Sequence, residues 1–265
     1  MITAHLTVRN LEQAWLGIMT KIMDRGREYC KDGGSRAGLL RKALDLMVVE
    51  INHPEERPLV PLAKPGCISP CTEDDAERYL REYLYNTEAP AEHESYTYAQ
   101  YLTPAVHATA KHYAQAGFYV QQAVMPVGMP NDVQRYVEPH DRDSVSIPCL
   151  RMIDTRIIRV GCPDCDGTGL IISQGENWRI KSPCGKCQGI GSIDQLHYYV
   201  YFRAWNHFGA FPLNMAGIQL LKEVHCTIIE HESGKPVHPG PTVSISKDSH
   251  INYIEWEAAN AWLGR

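Results

Sequence analysis

Residues 151–160 run RMIDTRIIRV and residues 195–205 run QLHYYVYFRAW. Both stretches are dense in β-branched and aromatic side chains, which predicts strands over Leu150–Val160 and His197–Trp205. The segment between them holds four cysteines in two like knuckles. The two strands therefore read as the arms of one hairpin, with residues 161–193 as an elaborated tip.

Working outward from that hairpin, Leu11, Trp15, Ile18, Met19 and Ile22 recur at helical spacing and predict a helix over 7–30. The glycines of 31–38 mark a loop, and 39–51 ends in a β-like run that Asn52-His-Pro54 stops. Five prolines make 54–72 an irregular connection. Thr72, followed by Glu73 and Asp75, is a helix start, and that helix is expected to reach about Tyr85. After a loop over Asn86–Glu94, a second helix is expected over Tyr98–Ala116 and a strand over Phe118–Met125. Residues 126–146 are polar and turn-rich. Beyond the hairpin, Met215, Ile218, Leu221 and Val224 form the apolar stripe of a helix over 212–230. A short strand over Val243–Ser246 and a helix from about Tyr253 complete the chain. Strands and helices mix without strict βαβ alternation, which predicts an α+β fold around one sheet.

The knuckles are Cys162-Pro-Asp-Cys165-Asp-Gly-Thr-Gly169 and Cys184-Gly-Lys-Cys187-Gln-Gly-Ile-Gly191, with 18 residues between Cys165 and Cys184. Two residues between cysteines let one tight turn present both sulfurs to one ion, and the following glycines free the backbone for that turn. Four thiolates close a tetrahedral shell and leave no place for substrate, so the expected site is structural zinc held by Cys162, Cys165, Cys184 and Cys187. The knuckles resemble those of the DnaJ cysteine-rich domain.

At 265 residues, with 44% apolar and 22% charged side chains, the chain can bury a full core without staples. No run approaches the ~20 apolar residues that span a bilayer. The N-terminus shows no signal design, so the expected compartment is the cytoplasm. A net charge of −5 argues against a broadly basic nucleic-acid surface. Nine cysteines, an odd number, argue against a disulfide framework. His225 with Cys226, the Cys67/Cys71 pair, Cys30 and the Tyr198-Tyr199-Tyr201-Phe202 cluster read as ordinary packing.

Cys149 lies in Ser-Ile-Pro-Cys-Leu, just ahead of the first hairpin strand. Arg203-Ala-Trp-Asn206-His-Phe-Gly-Ala-Phe-Pro-Leu-Asn214 joins the second strand to the long helix, Asp248-Ser-His250-Ile-Asn252 follows, and Tyr96-Thr-Tyr98-Ala precedes. In this order and spacing the segments resemble the thymidylate synthase and pyrimidine-nucleotide hydroxymethylase family, over roughly residues 35–255 without the cysteine-rich insertion. The resemblance implies that residues 1–265 form one thymidylate synthase-like catalytic domain, a mixed sheet with flanking helices, paired through its sheet as a homodimer.

It also implies roles. Cys149 matches the nucleophile, Tyr98 the active-site tyrosine, Arg203 the motif arginine and Asn214 the base-reading asparagine. Asp248, His250 and Asn252 match the family's Asp-x-His-Ile-Tyr motif, with His250 on the sugar hydroxyl. Arg36, in Ser35-Arg-Ala-Gly38, matches the phosphate-binding loop, and Asn206 stands at the folate-contacting aspartate. Glu82 is the candidate for the carboxylate that organises water near the base. The implied activity is one-carbon transfer from methylenetetrahydrofolate to carbon 5 of a uracil nucleotide, with hydroxymethylation as the alternative outcome. Two departures, the missing arginines and the asparagine in place of the aspartate, favour a further alternative, a non-catalytic zinc-ribbon binding protein on a synthase scaffold. Gln121 and Gln122 stand where the family has arginines lent by the partner subunit, Ala204 and Asn206 replace a serine and an aspartate, and only fifteen residues follow His250. Arg135 and Arg142 are the candidate replacement cations.

Overall fold

The first strand, β1 (Thr3–Val8), precedes helix α1, and Asn10 caps that helix by accepting a hydrogen bond from the Gln13 backbone N–H. Helix α1 covers Leu11–Arg25 and buries Leu11, Trp15, Ile18, Met19 and Ile22, the stripe the sequence predicted. It is shorter than expected. Gly26 turns the chain into extended backbone, and a Cβ there would lie 2.4 Å from the Ile22 carbonyl oxygen. Residues Arg27–Cys30 are then strand β2, not helix. Described in this computed structural model are residues 1–32, 37–85, 96–135, 147–175 and 178–265.

The remaining elements are β3 (Leu40–Ile51), α2 (Glu73–Tyr79, continued by a π-helical turn over Leu80–Leu84), α3 (Ala99–Ala116), β4 (Val124–Pro126) and α4 (Asp132–Arg135). The hairpin follows as β5 (Leu150–Gly161), its inserted β6 (Leu170–Gly175) and β7 (Trp178–Pro183), and β8 (Ser192–Phe202). The chain closes with β9 (Trp205–Asn206), α5 (Ala210–Ser233), β10 (His238–Asn252), a 3₁₀ turn over Tyr253–Glu255, and α6 (Trp256–Trp262). Thr72 and Asp75 form the reciprocal cap expected at α2. Two expectations need correction. The strand over Phe118–Met125 shrinks to β4, and the short strand at Val243–Ser246 is the middle of a 15-residue strand.

The protein is mixed α/β. Its main sheet has the order β1-β3-β10-β8-β5-β4, with β2 on β3 and β9 on β10. β1 runs parallel to β3 and β10 parallel to β8, while β3/β10, β5/β8 and β4/β5 are antiparallel. Helices α1, α3 and α5 bury one face of this sheet against Met47, Val49, Ile153, Leu196, Val200 and Phe202. The 12-residue span of β5 carries the chain from Cys149 at one end of the sheet to the cysteine-rich tip at the other, roughly 35 Å away. No described helix is long and apolar enough to cross a membrane.

Candidate active site and metal centre

Cys149 is half-buried at the mouth of β5, where the β5/β8 register shifts between Leu150 and Met152. Arg203, at the end of β8, holds this corner in three places. Its backbone N–H donates to the Cys149 carbonyl at 2.9 Å, Nε to the Pro148 carbonyl at 3.1 Å, and Nη2 to the Ile147 carbonyl at 2.7 Å. The Leu150 N–H donates to the Tyr98 hydroxyl at 3.3 Å, which sets that phenol beside the Cys149–Leu150 backbone. Burial holds the Tyr98 hydroxyl well above its ordinary pKa, and the neighbouring Tyr79, Tyr96 and Cys149 push the same way. The phenol therefore stays protonated and able to donate.

Asn214 is the fifth residue of α5. Its carbonyl oxygen accepts from the Trp205 indole N–H at 3.0 Å, and its amide nitrogen donates to the Tyr79 hydroxyl at 2.9 Å. Tyr79 stacks on Tyr83 at 5.3 Å between ring centres, and Tyr83 meets Tyr98 edge-on at 5.1 Å. These rings make an aromatic wall between Asn214 and Cys149.

The C-terminal end of β10 supplies the opposite wall. Asp248 adopts a left-handed backbone at φ 51°, accepts from the Tyr29 hydroxyl, and accepts from Arg41 Nη1 at 3.1 Å. His250 Nδ1 lies 2.9 Å from the Asp248 carbonyl oxygen and donates to it, and Nε2 has no hydrogen-bond partner among the described residues. Burial alone would raise the Asp248 pKa, but His250, Tyr29 and Arg41 more than offset it and hold the carboxyl below its ordinary range. Burial and the bond to Asp248 push the Tyr29 hydroxyl up to about 12. Lys31 is shifted down, first by burial and then by the positive charges of Arg41 and Arg203. Three cations thus converge on one cleft.

A second carboxylate, Glu255, closes the far end. It accepts from Asn206 Nδ2 at 2.8 and 3.1 Å, and from the Asn252 backbone N–H and side-chain amide at 3.0 Å each. The cleft these walls enclose has a volume of about 790 Å³, and Cys149, Tyr98, Arg203, Asn206, Asn214, Asp248 and His250 all line it. That volume suits a nucleotide-sized ligand. Asn252 is brought only to the back of the site, fully buried behind Glu255. Glu82 is not brought there: it lies exposed on the π-helical turn that buries Leu84. Arg36 and Arg142 lie outside the described residues, as does the side chain of Arg135. The motifs passed over Lys31, Arg41, Tyr79, Trp205 and Glu255. The one available signal was the placing of Trp205 within the quoted Arg203–Asn214 segment.

At the other end of the hairpin, the sulfurs of Cys162, Cys165, Cys184 and Cys187 lie within 4.8 Å of one another, and all four residues are buried. Cys162 and Cys184 Sγ are 3.8 Å apart, and Cys165 and Cys187 Sγ are 3.7 Å apart. Tetrahedral zinc with Zn–S bonds of ~2.3 Å needs sulfurs ~3.8 Å apart, so the donor set fits that ion. The Gly169 and Gly191 N–H groups donate to Cys165 and Cys187 Sγ at 3.2 and 3.3 Å; at Cys187 burial is offset by the hydrogen bonds, which lower the thiol's pKa to about 7. A Cβ on Gly169 would stand 2.2 Å from the Gly189 carbonyl oxygen, and one on Gly191 would stand 2.3 Å from that of Gly167. The two knuckles pack backbone to backbone, and only glycine fits between them.

His225 and Cys226 behave as the core residues the sequence suggested. The imidazole joins the Thr109 hydroxyl at 3.0 Å and the Tyr198 hydroxyl at 2.9 Å. Burial pushes the Cys226 thiol up to about 12. No protein-family model matches the chain, and a search of curated proteins finds none similar to it.

Proposed function

We propose that the protein is a thymidylate synthase-like enzyme that transfers a one-carbon group to carbon 5 of a uracil nucleotide. One observation carries this reading. Tyr98, Cys149, Arg203, Asn214, Asp248 and His250, drawn from segments up to 152 residues apart, line a single cleft. Carbon 5 of a pyrimidine is a weak nucleophile. Addition of the Cys149 thiolate to carbon 6 moves the ring electrons onto carbon 5 and O4, and carbon 5 can then attack. When carbon 5 afterwards loses its proton, the electron pair would expel the donor's nitrogen and leave an exocyclic methylene on carbon 5. Hydride or water adding to that methylene would return a pair to the C5–O4 system, which re-forms the ring double bond and expels the thiolate from carbon 6.

Asn214 suits the O4 and N3–H edge, because an amide offers one donor and one acceptor. Lys31, Arg41 and Arg203 offer positive charge to a phosphate from within one chain, in place of the cations missing at Gln121 and Gln122. The Nε2 of His250 suits a sugar hydroxyl, and Tyr98 suits proton transfer beside Cys149. Glu255, rather than Glu82, is the carboxylate at hand to order water. Methylenetetrahydrofolate, the donor the resemblance implies, supplies carbon at the formaldehyde level and, for methylation, the hydride that reduces it. Hydroxymethylation differs only in that water takes the place of that hydride. The cysteine cluster holds zinc as a structural ion, too far along β5 to meet the substrate. Residues Leu46, Val48, Val243, Ile245, Tyr199 and Tyr201 alternate with the buried core positions and leave a half-buried apolar sheet face, which suits a second copy of the chain.

The test is covalent trapping. Protein incubated with 5-fluoro-dUMP and methylenetetrahydrofolate should gain the mass of both, on the peptide containing Cys149. A protein that never forms this adduct, yet binds the nucleotide, is not an enzyme of this class.

A further inference from the structure

We infer that Trp205 is a one-way lock on the Asn214 amide, and that this lock makes the cleft reject cytosine. The inference rests on the reading of Asn214 as the residue facing the base edge.

An asparagine amide is nearly symmetric in shape, so a free one can turn over and exchange its donor for its acceptor. Uracil asks the amide to accept from N3–H and donate to O4. Cytosine asks for the reverse, donation to N3 and acceptance from the 4-amino group. An amide free to turn would serve both.

Asn214 is not free. An indole N–H can only donate, so the group 3.0 Å from Trp205 Nε1 must be the Asn214 oxygen. Turning the amide would set two donors against each other in a closed corner, since Trp205 is 3% exposed. Trp205 cannot swing away to relieve this. Its ring lies flat on Phe202 at 3.7 Å and 12°, packs on Phe211 at 4.8 Å, and its backbone pairs with Ser249 of β10. The second partner of Asn214 has no such polarity. The Tyr79 hydroxyl accepts from Asn214 Nδ2 at 2.9 Å, but a hydroxyl can donate as readily as accept, so it tolerates either orientation. The direction of the lock therefore comes from Trp205, while Tyr79 only holds the amide in plane. Both are positioning residues for Asn214.

The test compares dissociation constants for dUMP and dCMP by titration calorimetry in the wild type, Trp205→Phe and Tyr79→Phe. Trp205→Phe should narrow the uracil preference by about tenfold or more, chiefly through gained cytosine binding. Tyr79→Phe should weaken both ligands and keep the ratio. A ratio unchanged in Trp205→Phe, or narrowed equally in Tyr79→Phe, overturns the lock. A ligand-free measurement separates this from the functional reading. The Trp205 indole proton should exchange with solvent at least about tenfold more slowly in the wild type than in Asn214→Ala. Slow exchange in a protein that binds neither nucleotide would keep the lock and sink the proposed function. Equal exchange in the two proteins sinks the lock, whatever the protein binds.

Discussion

The backbone N–H of Arg203 donates to the carbonyl of Cys149 at 2.9 Å, so the end of β8 and the start of β5 meet at the candidate nucleophile. The Arg203 guanidinium extends the same clasp to Pro148 and Ile147, which fixes the sulfur's approach to the cleft rather than merely lending charge. We expect Cys149→Ala to abolish turnover with fold and nucleotide binding kept, because losing a nucleophile costs several orders of magnitude in kcat. Cys226→Ala and Cys30→Ala should leave turnover in place. Activity of Cys149→Ala above about a hundredth of wild type, in a steady-state assay, would rule out the covalent route.

The knuckle geometry predicts about one zinc per chain by elemental analysis, since four thiolates complete one shell. Cys165→Ser and Cys187→Ser should lose the metal and solubility while the cleft, roughly 35 Å along β5, keeps its ligand affinity. Metal-free protein with four freely titrating thiols is the contrary result.

Asn214→Asp should move preference from uracil toward cytosine nucleotides by roughly ten- to a hundredfold in kcat/KM. The fold should bear it. The Trp205 N–H still meets an oxygen, and the Tyr79 hydroxyl can turn to donate. An unchanged ratio, or a wild type that already prefers cytosine, would mean that another side chain reads the base.

The buried imidazole of His225 predicts loss of stability in mild acid. Burial, with a smaller push from His107, lowers its pKa from 6.5 to about 3. Between those values the unfolded chain takes up a proton that the folded chain refuses. Stability therefore falls as pH falls below 6.5, by ~1.4 kcal/mol per pH unit from this group. Urea unfolding at a series of pH values should show a slope shallower by about one proton in His225→Gln, whose amide can still meet Thr109 and Tyr198. Parallel slopes in the two proteins would place the acid response elsewhere.

What the sequence disclosed and what it withheld follow from where the specifying interactions lie. Helices α1, α3 and α5 were legible because an apolar stripe at helical spacing reports burial directly. β10 was legible only at Val243–Ser246. Its flanks are rich in Pro, Gly, Ser, Asp, His and Asn, poor strand formers that become strand because β3 and β8 pair with them. The end of α1 had a local signal in Gly26 that the periodicity outweighed. In the cleft, residues within ordered motifs could be named in advance. Arg41 and Glu255 could not, because their meaning comes from partners far along the chain: Asp248 for the arginine and Asn206 for the glutamate.

Gly161 and Ser192 face each other as a cross-strand pair, so everything between them leaves and re-enters the sheet at neighbouring positions. Such a segment is a cassette. Excising residues 162–191 and closing the gap with a two-residue Asn-Gly turn keeps every β5–β8 pairing in register, and with it the side-chain alternation that builds the core. Conversely, any antiparallel hairpin with two adjacent ends could receive the cassette as a graft. The gain or loss of the four-cysteine module is thus a single insertion or deletion in this architecture, made at the end of β5 opposite the cleft.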